Sequence, residues 1–240
     1  MNFQSIKIFG TRLDKFSRLG LKNKIIELLN GPPRRIFVTT PNPEILLKAR
    51  QDENYRQILN RADLNICDGV GVQLIARLRG QGRLERFAGA DLVQWLFEEI
   101  KRRKLNVLVV VSKNSLSSPA AITRSLREKF GVDVSAEYFE ATNFFANEIA
   151  RKAQVIFVNF GAPDQEVFID AYRNDFPSAR ILLGVGGAFD FFTGRISRAP
   201  IWMRKIGLEW LWRLILEPRR AKRIWSAVCV FPILALISTE

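Results

Sequence analysis

Asp68 is the residue with the clearest chemical promise. It follows the apolar stretch Ala62–Cys67 and precedes Gly69-Val70-Gly71, so its carboxylate stands where a strand gives way to a tight turn. A carboxylate there can take a proton from a hydroxyl. Ordinary Asp is a weak base, with a pKa of about 3.9, and needs partial burial to do this well. The same pattern also suits an Asx-turn that caps a helix, and spacing alone does not separate the two. Thr40 and Asn42 likewise end a strand and open a helix. Their side chains and free N–H groups fit a sugar or phosphate, or a plain helix cap. Gly184-Val185-Gly186-Gly187 has the look of a turn that lets the backbone approach a phosphate. It lacks full GxGxxG spacing, and the chain has no GxxxxGK[ST]. It also follows the last expected strand rather than the first, which argues against a dinucleotide site. Arg213, Arg219, Arg220 and Arg223 surround Glu217-Pro218. Arg213 and Arg220 share a face if the helix persists through Pro218. They read as a bidentate clamp on a diphosphate or as a solvated, headgroup-facing surface.

What is missing narrows the chemistry. The chain has no histidine, which removes Ser-His-Asp and Cys-His catalysis and most transition-metal sites. Acid–base work falls to carboxylates, Lys, Tyr or Cys. The two cysteines, Cys67 and Cys229, have no metal-binding spacing, and a reduced cytoplasmic setting fits. No Asp-x-Asp pair occurs to hold a divalent ion on a diphosphate. Side-chain cations are therefore expected to stabilise a leaving group, with no metal and no other cofactor.

Charge points to the partner. The 240 residues carry a net +13, which attracts polyanions: nucleic acid, nucleotides or an anionic bilayer. The basic run from Arg195 to Arg223 is interleaved with Trp202, Trp210 and Trp212, and Trp225 follows it. Tryptophan favours surfaces with one dry side, so lipid is favoured over nucleic acid. The apolar stretch Ile224–Ile237 would span about 21 Å as a helix, against a hydrocarbon core of about 30 Å. With Pro232 inside it, it suits an interfacial or re-entrant anchor, or else a buried C-terminal helix. The first residues hold no continuous apolar run, and no signal peptide is expected.

The elements that must position these residues alternate. Strands are expected at Arg35–Thr39, Ala62–Cys67, Val107–Val111, Val132–Tyr138, Val155–Asn159 and Arg180–Leu183. Helices are expected from Asn42-Pro43-Glu44 onward and at Asp91–Lys104, Ser118–Phe130, Phe144–Lys152 and Gln165–Asp175. This rhythm predicts an α/β fold, a Rossmann-like, doubly wound, mostly parallel sheet over residues 1–199. Ligands bind such sheets beyond the carboxyl ends of the strands, where the singled-out turns lie. From Ile201 the pattern turns to basic, aromatic helices. Residues 200–240 are expected to form a helical, membrane-associating appendage on a core that folds without it.

Together these residues resemble the WecG/TagA/CpsF glycosyltransferase family (family 26, the GT-E fold). The resemblance runs from about Phe37 to Arg223. Its pieces are Thr40-Pro41-Asn42-Pro43-Glu44, Asp68-Gly69-Val70-Gly71, Arg86-Phe87-Ala88-Gly89-Ala90-Asp91-Leu92, Gly161-Ala162-Pro163-Asp164-Gln165-Glu166 and Gly184–Asp190. Arg198-Ala199-Pro200, Gly207-Leu208-Glu209-Trp210-Leu211-Trp212-Arg213 and Glu217-Pro218-Arg219-Arg220 complete it. Each piece is modest; their order and spacing are specific. The resemblance implies a peripheral, inverting, metal-independent enzyme on the cytoplasmic face of the bacterial inner membrane. It would move a hexose-type sugar (N-acetylmannosamine, its uronic acid, glucose or galactose) from a UDP-sugar to a polyprenyl-diphosphate-linked sugar. The products would feed teichoic acid, common-antigen or exopolysaccharide synthesis. It further implies Asp68 as base, Thr40 and Asn42 beside it, Arg86 and Gln165 at further active-site positions, and Arg213, Arg220 and Arg223 closing over the donor diphosphate. The family usually carries Lys or Arg where this chain has Asp164. A homo-oligomer stays open. The other classes are a non-catalytic peripheral membrane module and a nucleic-acid-binding protein.

Overall fold

The computed structural model describes residues 3–140 and 144–238. The strands among them are β1 (Ser5–Ile8), β2 (Thr11–Asp14), β3 (Ile36–Thr39), β4 (Leu64–Asn65), β5 (Val107–Val111), β6 (Ser135–Tyr138), β7 (Val155–Asn159) and β8 (Ile181–Gly184). The α-helices are α1 (Arg18–Asn30), α2 (Pro43–Gln51), α3 (Glu53–Arg61), α4 (Val70–Leu78), α5 (Gly89–Arg103), α6 (Pro119–Phe130), α7 (Glu148–Lys152), α8 (Asp164–Tyr172), α9 (Ala188–Phe192), α10 (Ile201–Lys205), α11 (Glu209–Leu216), α12 (Ala221–Trp225) and α13 (Phe231–Ile237).

Six strands form one sheet in the order β4-β3-β8-β7-β5-β6, with every pairing parallel. From β3 the chain steps to β4 at one edge, from β5 to β6 at the other, and β7 and β8 fill the middle. Side chains alternate across a strand, so a sheet buried on both faces needs apolar residues at every position. β5 shows this: Val107, Val109 and Val111 join the core containing α1, α5 and α6, while Leu108 and Val110 join the opposite core containing Phe168 and Ile169 of α8. Helices on both faces of a parallel sheet make the fold Rossmann-like, as expected.

Several boundaries differ from the sequence reading. The strand expected over Ala62–Cys67 shrinks to Leu64–Asn65, an edge strand whose strand pairing among the described residues is with β3 alone. Ile66 and Cys67 are nonetheless buried and carry the chain inward to Asp68. The strand expected from Val132 begins at Ser135, where pairing with Leu108 starts. The helix expected over Phe144–Lys152 divides into a 3-10 turn (Phe144–Ala146) and α7, because the Asn147 side chain accepts from Ile149 N–H and starts a new helix. The helix expected to reach Asp175 begins at Asp164 and ends at Tyr172, tightening into a 3-10 turn.

The hairpin β1–β2 was not foreseen. Its turn, Phe9-Gly10, has positive φ at both residues (53° and 71°), the geometry that normally selects Asn-Gly. The hairpin builds a third core from Ile6, Ile8, Phe9 and Leu13 with Val72, Ile75 and Ala76 of α4. Phe231 and Ala235 of α13 are fully buried in the same core. The C-terminal apolar stretch is therefore part core helix, while Ile233, Leu236 and Ile237 stay exposed. No helix among the described residues is long and apolar enough to cross a membrane.

Candidate active site

A cavity of about 560 Å³ opens at the carboxyl ends of β3, β4, β5, β7 and β8, where a parallel sheet leaves a crevice. Thr40, Asn42, Asp68, Gln165, Gly186 and Gly187 line it, and so do Arg213, Arg220 and Arg223 from the helices after Pro200. Elements distant in sequence thus meet around one space. Arg86 and Gly184 lie behind this wall rather than in it.

Asp68 is held from two sides. Its backbone N–H donates to Pro41 O (3.0 Å), tying the end of β4 to the loop after β3. Gly69 follows with φ +139°, and a Cβ there would stand 2.9 Å from Pro43 Cδ, so only glycine fits the turn. The carboxylate does not cap its own helix: α4 has no side-chain cap. Instead Gly89 N–H, at the start of α5, donates to Asp68 Oδ2 (3.0 Å). Arg86 Nε lies 3.6 Å from Oδ1. The side chain keeps 26% of its surface exposed, so the cavity can reach it. Burial raises its pKa above the usual Asp value; Arg86 and the Gly89 N–H pull it back, and Glu209 and Asp91 push it up again. A carboxylate so placed is a better base than a free one and is still ionisable.

Asn42 caps α2, its Oδ1 accepting from Ile45 N–H (3.0 Å), with Pro43 in the first turn, as the sequence led one to expect. It also lines the cavity. Thr40 Oγ1 faces Gly89, where an added Cβ would come within 3.3 Å of it, so a small residue lets α5 approach β3. Gln165 is an anchor. Gly186 N–H donates to its Oε1 (2.7 Å), and its Nε2 donates to Glu166 Oε1 (2.7 Å). Gly184 leaves the room this requires, since a Cβ there would stand 2.8 Å from Gln165 Cδ. The Gly186 N–H expected to meet a phosphate is thus already engaged by Gln165. Glu166 is fully buried, bonded by Tyr55 OH (2.9 Å), and burial pushes its pKa up to about 7.

The arginines reach the cavity from the helices after β8. Arg213 sits over the Phe191 ring (4.5 Å) and makes no ion pair among the described residues. Burial, and then Arg220 nearby, lower its pKa, the mark of crowded cations. Arg220 pairs with Glu217 (3.0 Å). Arg223 grips Glu44 through two bonds (2.7 and 2.8 Å). That pair lowers the Glu44 pKa despite the opposing effect of burial, and raises that of Arg223. A proton acceptor and guanidinium groups thus line the same cavity. This arrangement can take a proton from a nucleophile and receive negative charge on a leaving group.

Comparison with known proteins shows the family. The family model described as "Glycosyl transferase WecG/TagA/CpsF family" matches residues 6–239. The chain belongs to that family. Relatives from Bacillus subtilis (strain 168) and Bacillus spizizenii are each 34% identical to it, over 193 and 194 residues. Each alignment covers 79% of this chain and 75% of the relative, and both relatives are named N-acetylglucosaminyldiphosphoundecaprenol N-acetyl-beta-D-mannosaminyltransferase. The protein is a glycosyltransferase, and the non-catalytic module considered from sequence is set aside.

Other residues of this glycosyltransferase's cavity were not singled out from sequence. Glu44, in the sequence a helix-opening acid and the last residue of a resemblance piece, was given no role at the site, yet it lines the cavity and holds Arg223. Lys48, one turn later on α2, also lines it and donates to Ala162 O. Asp164, the departure from the family pattern, is exposed and is not among the lining residues. Glu209 joins the wall beside Asp68, sharing Arg86 with it: Glu209 Oε2 lies 3.8 Å from Arg86 NH2. The Glu209 and Lys48 positions come from packing between distant elements, and no local pattern announces them. No trio of Cys, Asp or Glu that could hold a metal gathers among the described residues.

Proposed function

We propose that this glycosyltransferase moves an N-acetylmannosamine-type hexose from a UDP-sugar to a sugar carried on a polyprenyl diphosphate, with inversion and without a metal. The observation that carries the reading is the Asp68 carboxylate, open to a cavity that Arg213, Arg220 and Arg223 also line. The names of the two Bacillus relatives support the sugar and the lipid-linked acceptor. The uronic acid of N-acetylmannosamine, glucose and galactose are the competing donors.

In this mechanism the acceptor hydroxyl attacks the anomeric carbon from the face opposite the diphosphate. Asp68 takes the hydroxyl proton as the new C–O bond forms. The bond from the anomeric carbon to the diphosphate breaks, and UDP leaves with its electron pair. Arg213 stabilises the departing charge, joined by Arg220 and Arg223 once the diphosphate competes with Glu217 and Glu44 for them. Arg86 orients Asp68 without touching substrate. Gln165 shapes the glycine turn under the diphosphate. The enzyme acts peripherally on the cytoplasmic face of the bacterial inner membrane, its basic, tryptophan-bearing helices toward the anionic surface.

The test is a donor screen with a short-chain prenyl-diphosphate N-acetylglucosamine acceptor, read by mass spectrometry. Addition of one N-acetylhexosamine from UDP-N-acetylmannosamine, with release of UDP, is expected. Transfer only from UDP-glucose or UDP-galactose would overturn the choice of sugar. UDP-sugar consumption that strictly requires an added divalent ion would overturn the metal-free mechanism.

A further inference from the structure

Helix α4 leaves the catalytic region in an unusual way. It begins two residues after Asp68, and its buried side (Val72, Ile75, Ala76) packs on the hairpin core. Its outer side is also apolar. Val70, Leu74 and Leu78 are 39%, 53% and 60% exposed and fall at i, i+4 and i+8, one ridge about 12 Å long. A helix apolar on both sides needs cover on both.

Gly207 lies close against Val70, but Leu74 and Leu78 keep more than half of their surface exposed among the described residues. α13 packs alongside α4, and Arg79 at the end of α4 donates to Ser238 O at the end of α13 (3.2 Å). α13 buries Phe231 and Ala235 but turns Ile233, Leu236 and Ile237 outward at 62%, 50% and 69% exposure. α4 and α13, packed against each other, thus each leave aliphatic residues exposed. Neither segment holds an acid: residues 69–84 and 218–238 contain no Asp or Glu. Arg77, Arg83, Arg219 and Lys222 in them are exposed.

We propose that the Val70–Leu74–Leu78 ridge of α4, continued by the outer side of α13, seats the enzyme in the headgroup region of an anionic bilayer, with the Asp68 end of the cavity beside the lipid. The core domain, and not only the residues after Pro200, then makes the membrane surface. Charge decides the occupant. Aliphatic side chains set among unopposed cations match an anionic, oily surface. A second copy meeting this face about a two-fold axis would set the same cations against each other. No helix among the described residues is long and apolar enough to span, so the proposed contact lies along the surface. The inference rests on the reading that the acceptor is lipid-linked. It deepens it by stating how such an acceptor reaches Asp68: its diphosphate stays at headgroup depth while its chain remains in the bilayer.

The experiment is vesicle co-sedimentation of the full chain with Leu74→Glu/Leu78→Glu, using vesicles of phosphatidylglycerol or of phosphatidylcholine alone. Wild type is expected to bind the anionic vesicles, less so in high salt. The double variant is expected to bind at least about tenfold more weakly, from the loss of two inserted leucines. Leu74→Trp, which enriches the ridge for the interface, is expected to bind more tightly than wild type. Turnover on a short-chain, water-soluble acceptor should stay within about twofold in both, since these exposed residues lie outside the cavity. Unchanged vesicle binding by the double variant overturns the proposal while leaving the glycosyltransferase reading intact. So does a double variant that loses self-association in sedimentation velocity but keeps its vesicle affinity, since the face would then belong to a second copy. If vesicle binding falls as expected but no variant, wild type included, transfers sugar to the short-chain acceptor, the functional reading fails and the docking surface stands.

Discussion

At the scale of single residues, the site turns on how one guanidinium is shared. Arg86 lies between Asp68 (3.6 Å) and Glu209 (3.8 Å), and Glu209 is also approached by Arg198 (3.7 Å). The charged groups facing Asp68 are Arg86, Glu209 and Asp91, together with the Gly89 N–H dipole. Burial and the two acids hold its pKa above the usual value, so activity should be lost as pH falls through that raised value. Glu209→Gln removes one acid and leaves Arg86 freer to pair with Asp68. Both effects favour the ionised carboxylate, so the acidic limb of the kcat/KM profile should move to lower pH, with a severalfold drop in the plateau because a weaker base remains. An unmoved limb, or one shifted upward, would contradict this role for Glu209. Asp68, Thr40 and Asn42 were legible in the sequence because polar residues at the ends of apolar strands are few and conspicuous. Glu209 and Lys48 were not, because their chemistry depends on neighbours that only the tertiary fold supplies.

At the scale of elements, the helices after β8 carry Arg213, Arg220 and Arg223 to the cavity at the sheet's carboxyl edge. Arg213 projects from α11, stacks on Phe191 of α9 and is not neutralised by a paired acid among the described residues. Arg213→Ala should lower kcat/KM for the UDP-sugar about a hundredfold, the cost typical of removing one group that stabilises a leaving charge. Arg213→Lys should recover only part of this, because a lysine neither stacks as a plane nor bonds a diphosphate bidentately. Steady-state kinetics with varied donor checks both, and full rescue by lysine would show that the planar group is not needed. The element pattern was readable where burial is two-sided: β5 and β7 were placed to the residue, because continuous apolar runs have no other use in this fold. The β1–β2 hairpin was missed because Phe9-Gly10 carries no usual turn signal, and β4 was overextended because its length is set by strand pairing, among the described residues with β3 alone.

At the scale of the whole molecule, the β1–β2 hairpin meets α13. Phe231 is fully buried and packs edge-on against Phe9 at a ring separation of 5.8 Å. The sequence led one to expect a core that folds without its C-terminal helices. The packing instead predicts that a chain ending at Ala199 melts well below the full chain, because the hairpin core loses Phe231 and Ala235. Phe231→Ala in the full chain should cost about 3 kcal/mol, the size usual for emptying a buried aromatic site. Urea unfolding measures it, and a loss below about 0.5 kcal/mol, the range of ordinary surface substitutions, would show that the C-terminal helix does not brace the core. A buried C-terminal helix was among the readings of Ile224–Ile237, but contact between residues more than two hundred positions apart leaves no trace in local periodicity, so its partner Phe9 was not legible.

The measurement closest to the centre of the account is turnover and UDP binding in Asp68→Asn, the nearly isosteric change that removes the base and keeps an acceptor for Gly89 N–H. Turnover with a UDP-sugar and a prenyl-diphosphate acceptor should fall about a thousandfold, the usual worth of a general base. The dissociation constant for UDP, by calorimetry, should stay within roughly threefold, since the base acts only on the transition state. Near-normal turnover in that variant would contradict the account, and so would a collapse of UDP affinity that alone explains the lost activity.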